Sequence, residues 1–229
     1  MDAADRAALL GLSHSVRHFF RHATIVRERD RPTHSCVLLS GLTIRHKLVS
    51  SGARQIVGIQ VAGDMIDLQN SMFEIADHSI QTLTTAEVAL VPRQALRDLA
   101  ASRPSVGTAM WFDTLLDASI AREWIANVGR RDARTRLAHL LCEMAVRFEM
   151  AGIGRQSCYE LPMSQEQIAD ALGLTSVHVN RMLKALEGDG LIVRTRRSVT
   201  IADWAQLIRA GDFDSTYLHL EQRSPGSIQ

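Results

Sequence analysis

Between Thr175 and Lys184 the chain sets out Thr175, Ser176, Val177, His178, Asn180, Arg181 and Lys184 at spacings that a helix would carry largely on faces other than its buried one. Side chains of most of these types can bond to nucleic acid. Arg181 has the geometry for a bidentate contact to guanine O6 and N7, which discriminates between bases by about 1–3 kcal/mol. Val177 accepts no hydrogen bond but can pack on a thymine methyl. Ser176, His178 and Asn180 can reach bases or phosphates, and Lys184 adds local positive charge.

The flanking residues predict the elements that would position this set. Ile168, Ala169 and Leu172 recur at helical spacing behind Ser164, which forms a capping box with Gln167 three residues on. Gly173 stops that helix, since glycine accepts the left-handed conformation of a helix C-terminus. Thr175 or Ser176 starts the next, and Val179, Met182, Leu183 and Leu186 form its buried stripe. Two short helices around a glycine turn, the second with a basic outer face, make a helix-turn-helix pattern, whose second helix enters the DNA major groove. Such helix pairs also occur in ordinary bundles. The run after Gly190 separates the two readings: Leu191–Arg194 and Val199–Ile201 are β-prone stretches around a basic turn, a hairpin signal. A hairpin after a recognition helix is a wing. Arg194, Arg196 and Arg197 at its tip suit phosphate contacts, which fix register without reading sequence; the alternative is a solvated turn.

Composition bounds the rest. The chain has 229 residues, long enough for two domains, with 46% hydrophobic and 22% charged residues. A net charge of +1 excludes a coating or packaging DNA binder, so the positive charge has to be local. Three scattered cysteines, Cys36, Cys142 and Cys158, make neither a disulfide framework nor a zinc site and fit a reducing cytoplasm. No apolar run reaches membrane-spanning length, and the N-terminus lacks the layout of a signal peptide, so a cytoplasmic protein with no membrane partner is expected.

Residues 2–12 predict a short helix. His14, His18 and His22 would stack on one face if it continued, but no carboxylate or cysteine joins them and the chain is already turning to strand; no metal is expected. Candidate strands are 23–27, 36–40, 42–50, 55–61, 79–84 and 87–91, separated by turn signals, as in a sandwich, barrel or jelly roll. Pro92 ends the sheet and 93–102 reads as a helix. Residues 105–128 are apolar on more than one face and require cover on several sides. Trp111, Leu115, Ala118 and Ile125 follow a heptad-like spacing and, with Arg122, form a candidate two-fold seam; the alternative is one internal core helix. Gly129 is the expected hinge. A further helix to about Phe148 has Leu137, Leu140, Leu141, Met144 and Val146 as core candidates, and a short helix is expected around 204–209. The expected domains are 1–103, 104–129 (long helix and hinge) and 130–229.

This order resembles the Crp/Fnr family of bacterial transcription regulators. Val26-Arg27-Glu28-Arg29-Asp30-Arg31-Pro32 is similar to the family's V-R-E-G-D-x-P turn, with Arg29 where glycine is usual. Gly63-Asp64 is similar to the turn opening its ligand region, and Leu172-Gly173-Leu174-Thr175 followed by Val179-Asn180-Arg181 to its recognition-helix signature. The resemblance implies an α+β protein: an N-terminal β-roll (a cyclic-nucleotide-binding-like jelly roll), a long dimerisation helix and a C-terminal winged helix-turn-helix. It also implies a homodimer on palindromic promoter sites of double-stranded DNA that contacts RNA polymerase. The departures matter. In cyclic-AMP-binding relatives an arginine–serine pair holds the cyclic phosphate; here His78-Ser79 stands there. A phosphate without that arginine lacks its bidentate charge-assisted partner, so the effector is expected to be something other than cyclic AMP, or none. The cysteine cluster of the oxygen-sensing branch is missing before Cys36, and no cofactor is expected, with haem left as the open alternative because His34, His46 and His78 are unassigned. In the family a glutamate four positions before the arginine reads a base; Val177 occupies that position, which changes the expected consensus.

Two other classes compete. A repressor whose β-domain binds a protein would share the DNA-binding half. A cupin-like metal enzyme would need closely spaced histidines with a glutamate, a spacing that His34, His46 and His78 lack. No nucleophile elbow or phosphate-binding glycine loop stands out, so no enzyme is expected.

Overall fold

The structure, a computed structural model, describes residues 1–195 and 198–223. The chain divides into two compact units: Met1–Lys47 and Ile59–Ile120 with the described residues after Tyr217, and Leu48–Gly58 with Ala121–Tyr217.

In the first unit, α1 (Ala3–Leu10) is followed by β1 (Ser15–Phe19), β2 (Thr24–Val26), β3 (His34–Ser40), β4 (Thr43–Leu48), β5 (Arg54–Gln60), β6 (Ser79–Thr82) and β7 (Ala86–Pro92). The strands form a three-stranded sheet, β1-β7-β3, and a four-stranded one, β2-β6-β4-β5. In β6 the buried Ile80 and Thr82 alternate with the half-buried Ser79 and Gln81, as a strand's period of two requires. Cys36, Leu38, Ile80 and Val88 meet Val26, Ile66 and Ala86 in one buried cluster. The double-sheeted β-domain expected from the sequence is present, and β1 adds a strand that short apolar runs did not announce. His14, His18 and His22 share no helix face. His18 lies on β1, opposite Glu87 of β7, and its Nδ1 is 3.2 Å from that carboxylate.

Helix α2 (Arg93–Ser102) is followed by α3 (Pro104–Arg130), which opens on proline, the residue whose missing N–H costs nothing in a first turn. Gly129, expected to be the hinge, lies inside α3; the helix breaks at Arg131 and Asp132 instead. The reason is local. A single glycine costs a helix interior only about 1 kcal/mol, whereas the Asp132 carboxylate accepts from the Arg134 and Thr135 amides and fixes where the next helix begins.

The second unit contains α4 (Ala133–Met150), β8 (Cys158–Glu160), α5 (Gln165–Leu172), α6 (Ser176–Gly188), β9 (Ile192–Arg194), β10 (Ser198–Ile201) and α7 (Trp204–Gly211). Helix α4 is its centre: every residue from Leu137 to Phe148 is buried. The five core candidates Leu137, Leu140, Leu141, Met144 and Val146 are all among them, as is Cys142, whose thiol burial pushes up to about 12. Helix α7 meets α4 so closely that a Cβ on Gly211 would lie 2.7 Å from the His139 backbone nitrogen. β8 pairs with β10 beside β9, so the sheet has three strands where two were expected; a three-residue strand carries too little alternation to be read.

Candidate nucleic-acid interface

The helix-turn-helix is built by its caps. Ser164 Oγ accepts from the Gln167 amide at 3.1 Å and Gln167 Oε1 accepts from the Ser164 amide at 2.9 Å, closing the expected box at the start of α5. Gly173 ends α5 at φ 64°, and the Leu174 amide donates back to the Ala169 carbonyl. Thr175 is the N-cap of α6: its hydroxyl accepts from the His178 amide at 3.2 Å. Val179, Leu183 and Leu186 are buried and Met182 half-buried, so α6 has one face fixed in the core.

The other faces carry the predicted set. Ser176, Val177, Arg181 and Lys184 are exposed, Val177 to 79%, while His178 and Asn180 are half-buried. An isolated valine so exposed at the start of a helix gains nothing from folding and is free for contact with a ligand. Arg181 Nη2 donates to His178 Nε2 at 2.9 Å, and Gln165 of α5 donates to Asn180 Oδ1 at 3.4 Å. Gln165 was not among the residues singled out from the sequence; its partner lies fifteen residues away across the turn, a separation that periodicity does not reveal.

The wing departs from expectation at one residue. Arg194 is half-buried, and its Nη2 lies 2.8 Å from the carboxylate of Glu187 at the end of α6. The guanidinium holds Glu187 below the usual carboxylate range. Arg194 is thus committed within the protein rather than free at a tip. Thr195 closes the turn, its amide donating to the Ser198 carbonyl at 3.0 Å. Arg196 and Arg197 lie outside the described residues.

On α3, the seam residues Trp111, Leu115, Arg122 and Ile125 are exposed and Ala118 is half-buried, whereas Leu116 and Trp124 are buried. Ile125 is 72% exposed and Trp111 67%. In the β-domain, Gly63 takes φ 96° and Asp64 closes the turn by accepting from the Val61 amide at 2.9 Å. His78 is bonded by Asp77 at 2.7 Å and Gln69 at 3.1 Å; burial lowers its pKa. The buried Arg45 donates to the Ile66 carbonyl and pairs with Asp117. Among the described residues no group of three or more His, Cys, Asp or Glu is placed to hold a metal, and no helix is long and apolar enough to cross a membrane.

A capped helix-turn-helix with a three-stranded wing, following a double-sheeted β-domain and a long helix in sequence, defines a DNA-binding transcription regulator rather than an enzyme. The Crp-like helix-turn-helix domain matches residues 135–210 and the cyclic nucleotide-binding domain residues 16–103. The chain belongs to the Crp/Fnr family. It is 26% identical over 196 residues to the transcriptional activator protein FnrL of Cereibacter sphaeroides, covering 84% of this chain and 78% of that one. It is 29% identical over 208 residues to the nitrogen fixation regulation protein FixK of Bradyrhizobium diazoefficiens, covering 90% and 86%. The structure of FixK2 from Bradyrhizobium japonicum superposes with a TM-score of 0.80 at 25% identity, covering 87% of this chain and 98% of the other.

Proposed function

We propose that this regulator acts as a homodimer on palindromic promoter sites, activates transcription by contacting RNA polymerase, and does so without cyclic AMP. The observation that carries the DNA reading is α6 itself: one face is locked in the core, while Val177, Arg181 and Lys184 are exposed on the other side. Arg181 is the base reader, with guanine as its partner, and Val177 faces a thymine methyl. Ser176, His178, Asn180 and Lys184 serve bases or phosphates, and Thr175 holds the helix start that aims them. One recognition helix reads only a few base pairs. A two-fold dimer places two helices on one face of the duplex about 34 Å apart, and Trp111, Leu115, Ala118, Arg122 and Ile125 supply the seam. The activator role is supported by the similarity to FnrL, a transcriptional activator protein. Against cyclic AMP stands His78, an imidazole tied to Asp77 and Gln69 where a phosphate would need a guanidinium.

Selection from random DNA by the purified protein, with no cyclic nucleotide added, tests this. A recovered palindrome with a guanine in each half-site is the expected result. Retention of a single asymmetric half-site would overturn the dimer, and no enrichment at any protein concentration would overturn ligand-free binding.

A further inference from the structure

Helix α4 carries three ionisable residues on one buried stripe, His139, Glu143 and Arg147, each 4% exposed or less. Lipophilic neighbours on both sides make this an expensive place for charge unless every group is bonded. Glu143 accepts three bonds: from Trp124 Nε1 of α3 at 2.9 Å, from Tyr217 Oη at 2.8 Å, and from Arg147 Nη1 at 3.2 Å. Tyr217 Oη also lies 3.2 Å from His139 Nε2, and His139 Nδ1 lies 3.1 Å from the Gly211 carbonyl oxygen.

The proton inventory of this chain is what makes it informative. A carbonyl only accepts, so Nδ1 carries a hydrogen. In the neutral imidazole Nε2 is then an acceptor, and the single Tyr217 hydroxyl proton faces two acceptors, His139 Nε2 and Glu143 Oε2. One of those two bonds goes unmade. In the imidazolium both ring nitrogens donate: Nδ1 to Gly211, Nε2 to Tyr217 Oη, and the hydroxyl is released to donate to Glu143. The His139–Gly211, His139–Tyr217 and Tyr217–Glu143 bonds are then all made.

We propose that His139, Tyr217 and Glu143 form a proton-sensing relay in the DNA-binding unit, through which acidification tightens the unit's hold on DNA. The consequence for DNA rests on the function proposed above; the relay itself does not. Protonation completes the tie between α4, the α3 residue Trp124 and the turn at Ser215–Leu218, and adds a positive charge to the unit that meets a polyanion. The charged groups facing His139 are Glu123 of α3, 3.6 Å from Nε2; Arg131 between α3 and α4, which is paired with Glu123 and Asp212; and Glu143, with Arg147 behind it, on α4. Glu123 and Glu143 favour the imidazolium, while burial, the larger effect, and Arg131 oppose it and lower the pKa of His139.

The test uses the full chain with histidine nitrogen NMR and DNA anisotropy, each from pH 7.5 to 5.5, on the wild type, His139→Gln and Tyr217→Phe. The signal that His139→Gln removes should change from one protonated nitrogen to two across this range. Tyr217→Phe, which keeps the ring and removes the relay oxygen, should make that change require lower pH. Wild-type affinity for the selected site should rise at least threefold more than that of His139→Gln over the same interval. A His139 signal that stays in one neutral form throughout, or identical affinity profiles for wild type and His139→Gln, overturns the proposal. If the wild type binds no DNA at any pH, the DNA-binding reading fails, and the coupling to DNA fails with it, while the NMR titration still decides the relay.

Discussion

At the scale of single residues, two side chains act against the role that their neighbours serve. Arg194 lies on the wing, where phosphate contacts are expected from the sequence, yet its guanidinium is held by Glu187 at 2.8 Å. Replacing Glu187 by glutamine leaves the side-chain shape and removes the countercharge. The Glu187→Gln protein should therefore bind non-specific DNA more tightly, and the slope of log affinity against log salt should steepen by up to about 0.9, one further phosphate contact. An unchanged slope would mean that Arg194 never reaches the backbone. Arg29 is the second case. It takes φ 74°, a conformation that suits glycine, while its amide donates to the Ala76 carbonyl. A left-handed residue with a Cβ costs roughly 1–2 kcal/mol, and glycine's extra freedom in the unfolded chain returns about 0.5–1 of that. Arg29→Gly should thus stabilise the protein by up to about 1.5 kcal/mol, seen as a higher urea midpoint with the same slope.

At the scale of elements, α3 and α4 differ in what their burial demands. α3 leaves Trp111, Leu115 and Ile125 exposed along one line while burying Leu116 and Trp124. Burying a side chain such as isoleucine is worth about 1.5–3 kcal/mol, so a second copy covering this line has ample driving force. Ile125→Glu should shift sedimentation from dimer to monomer at micromolar concentration without lowering the melting temperature of the monomeric fold; a variant that stays dimeric places the interface elsewhere. Much of this was legible in the sequence. The capping box at Ser164, the αL glycine at 173 and the heptad-like spacing on α3 are local signals, each complete within a few residues. What stayed hidden depends on partners far along the chain. The burial of His139, Glu143 and Arg147 is one such case: nothing in their four-residue spacing announces that Trp124 and Tyr217 will both donate to Glu143. The pairing of Arg194 with Glu187 and the short strand β8 are others. Gly129 misled because glycine weakens a helix without ending it.

At the scale of the whole molecule, one buried and one half-buried histidine make the fold respond to acid. His139 and His78 both have pKa values lowered from 6.5, in each case chiefly by burial. The unfolded chain therefore binds more protons than the folded one just below that value, and stability rises with pH there. Their contribution is present in full above about 6.5, the unfolded value, and is lost as pH falls from it to the folded values. Asp67, raised by burial, acts in the opposite sense, costing stability as pH rises through its own folded value. The melting temperature should fall between pH 7 and pH 5, and His139→Gln should fall less steeply than the wild type. Parallel curves would show that His139 does not contribute to the loss.

The central claim is that α6 reads bases through Arg181, and affinity measured on two DNAs tests it most directly. Fluorescence anisotropy would compare wild type and Arg181→Ala on the selected palindrome and on a scrambled duplex of the same composition, at one salt concentration. Loss of a guanine contact in each half-site should weaken palindrome binding by about 2–6 kcal/mol, two contacts of about 1–3 kcal/mol each, and leave the scrambled duplex within a few-fold. Equal losses on both duplexes would make Arg181 a phosphate contact and would contradict the account.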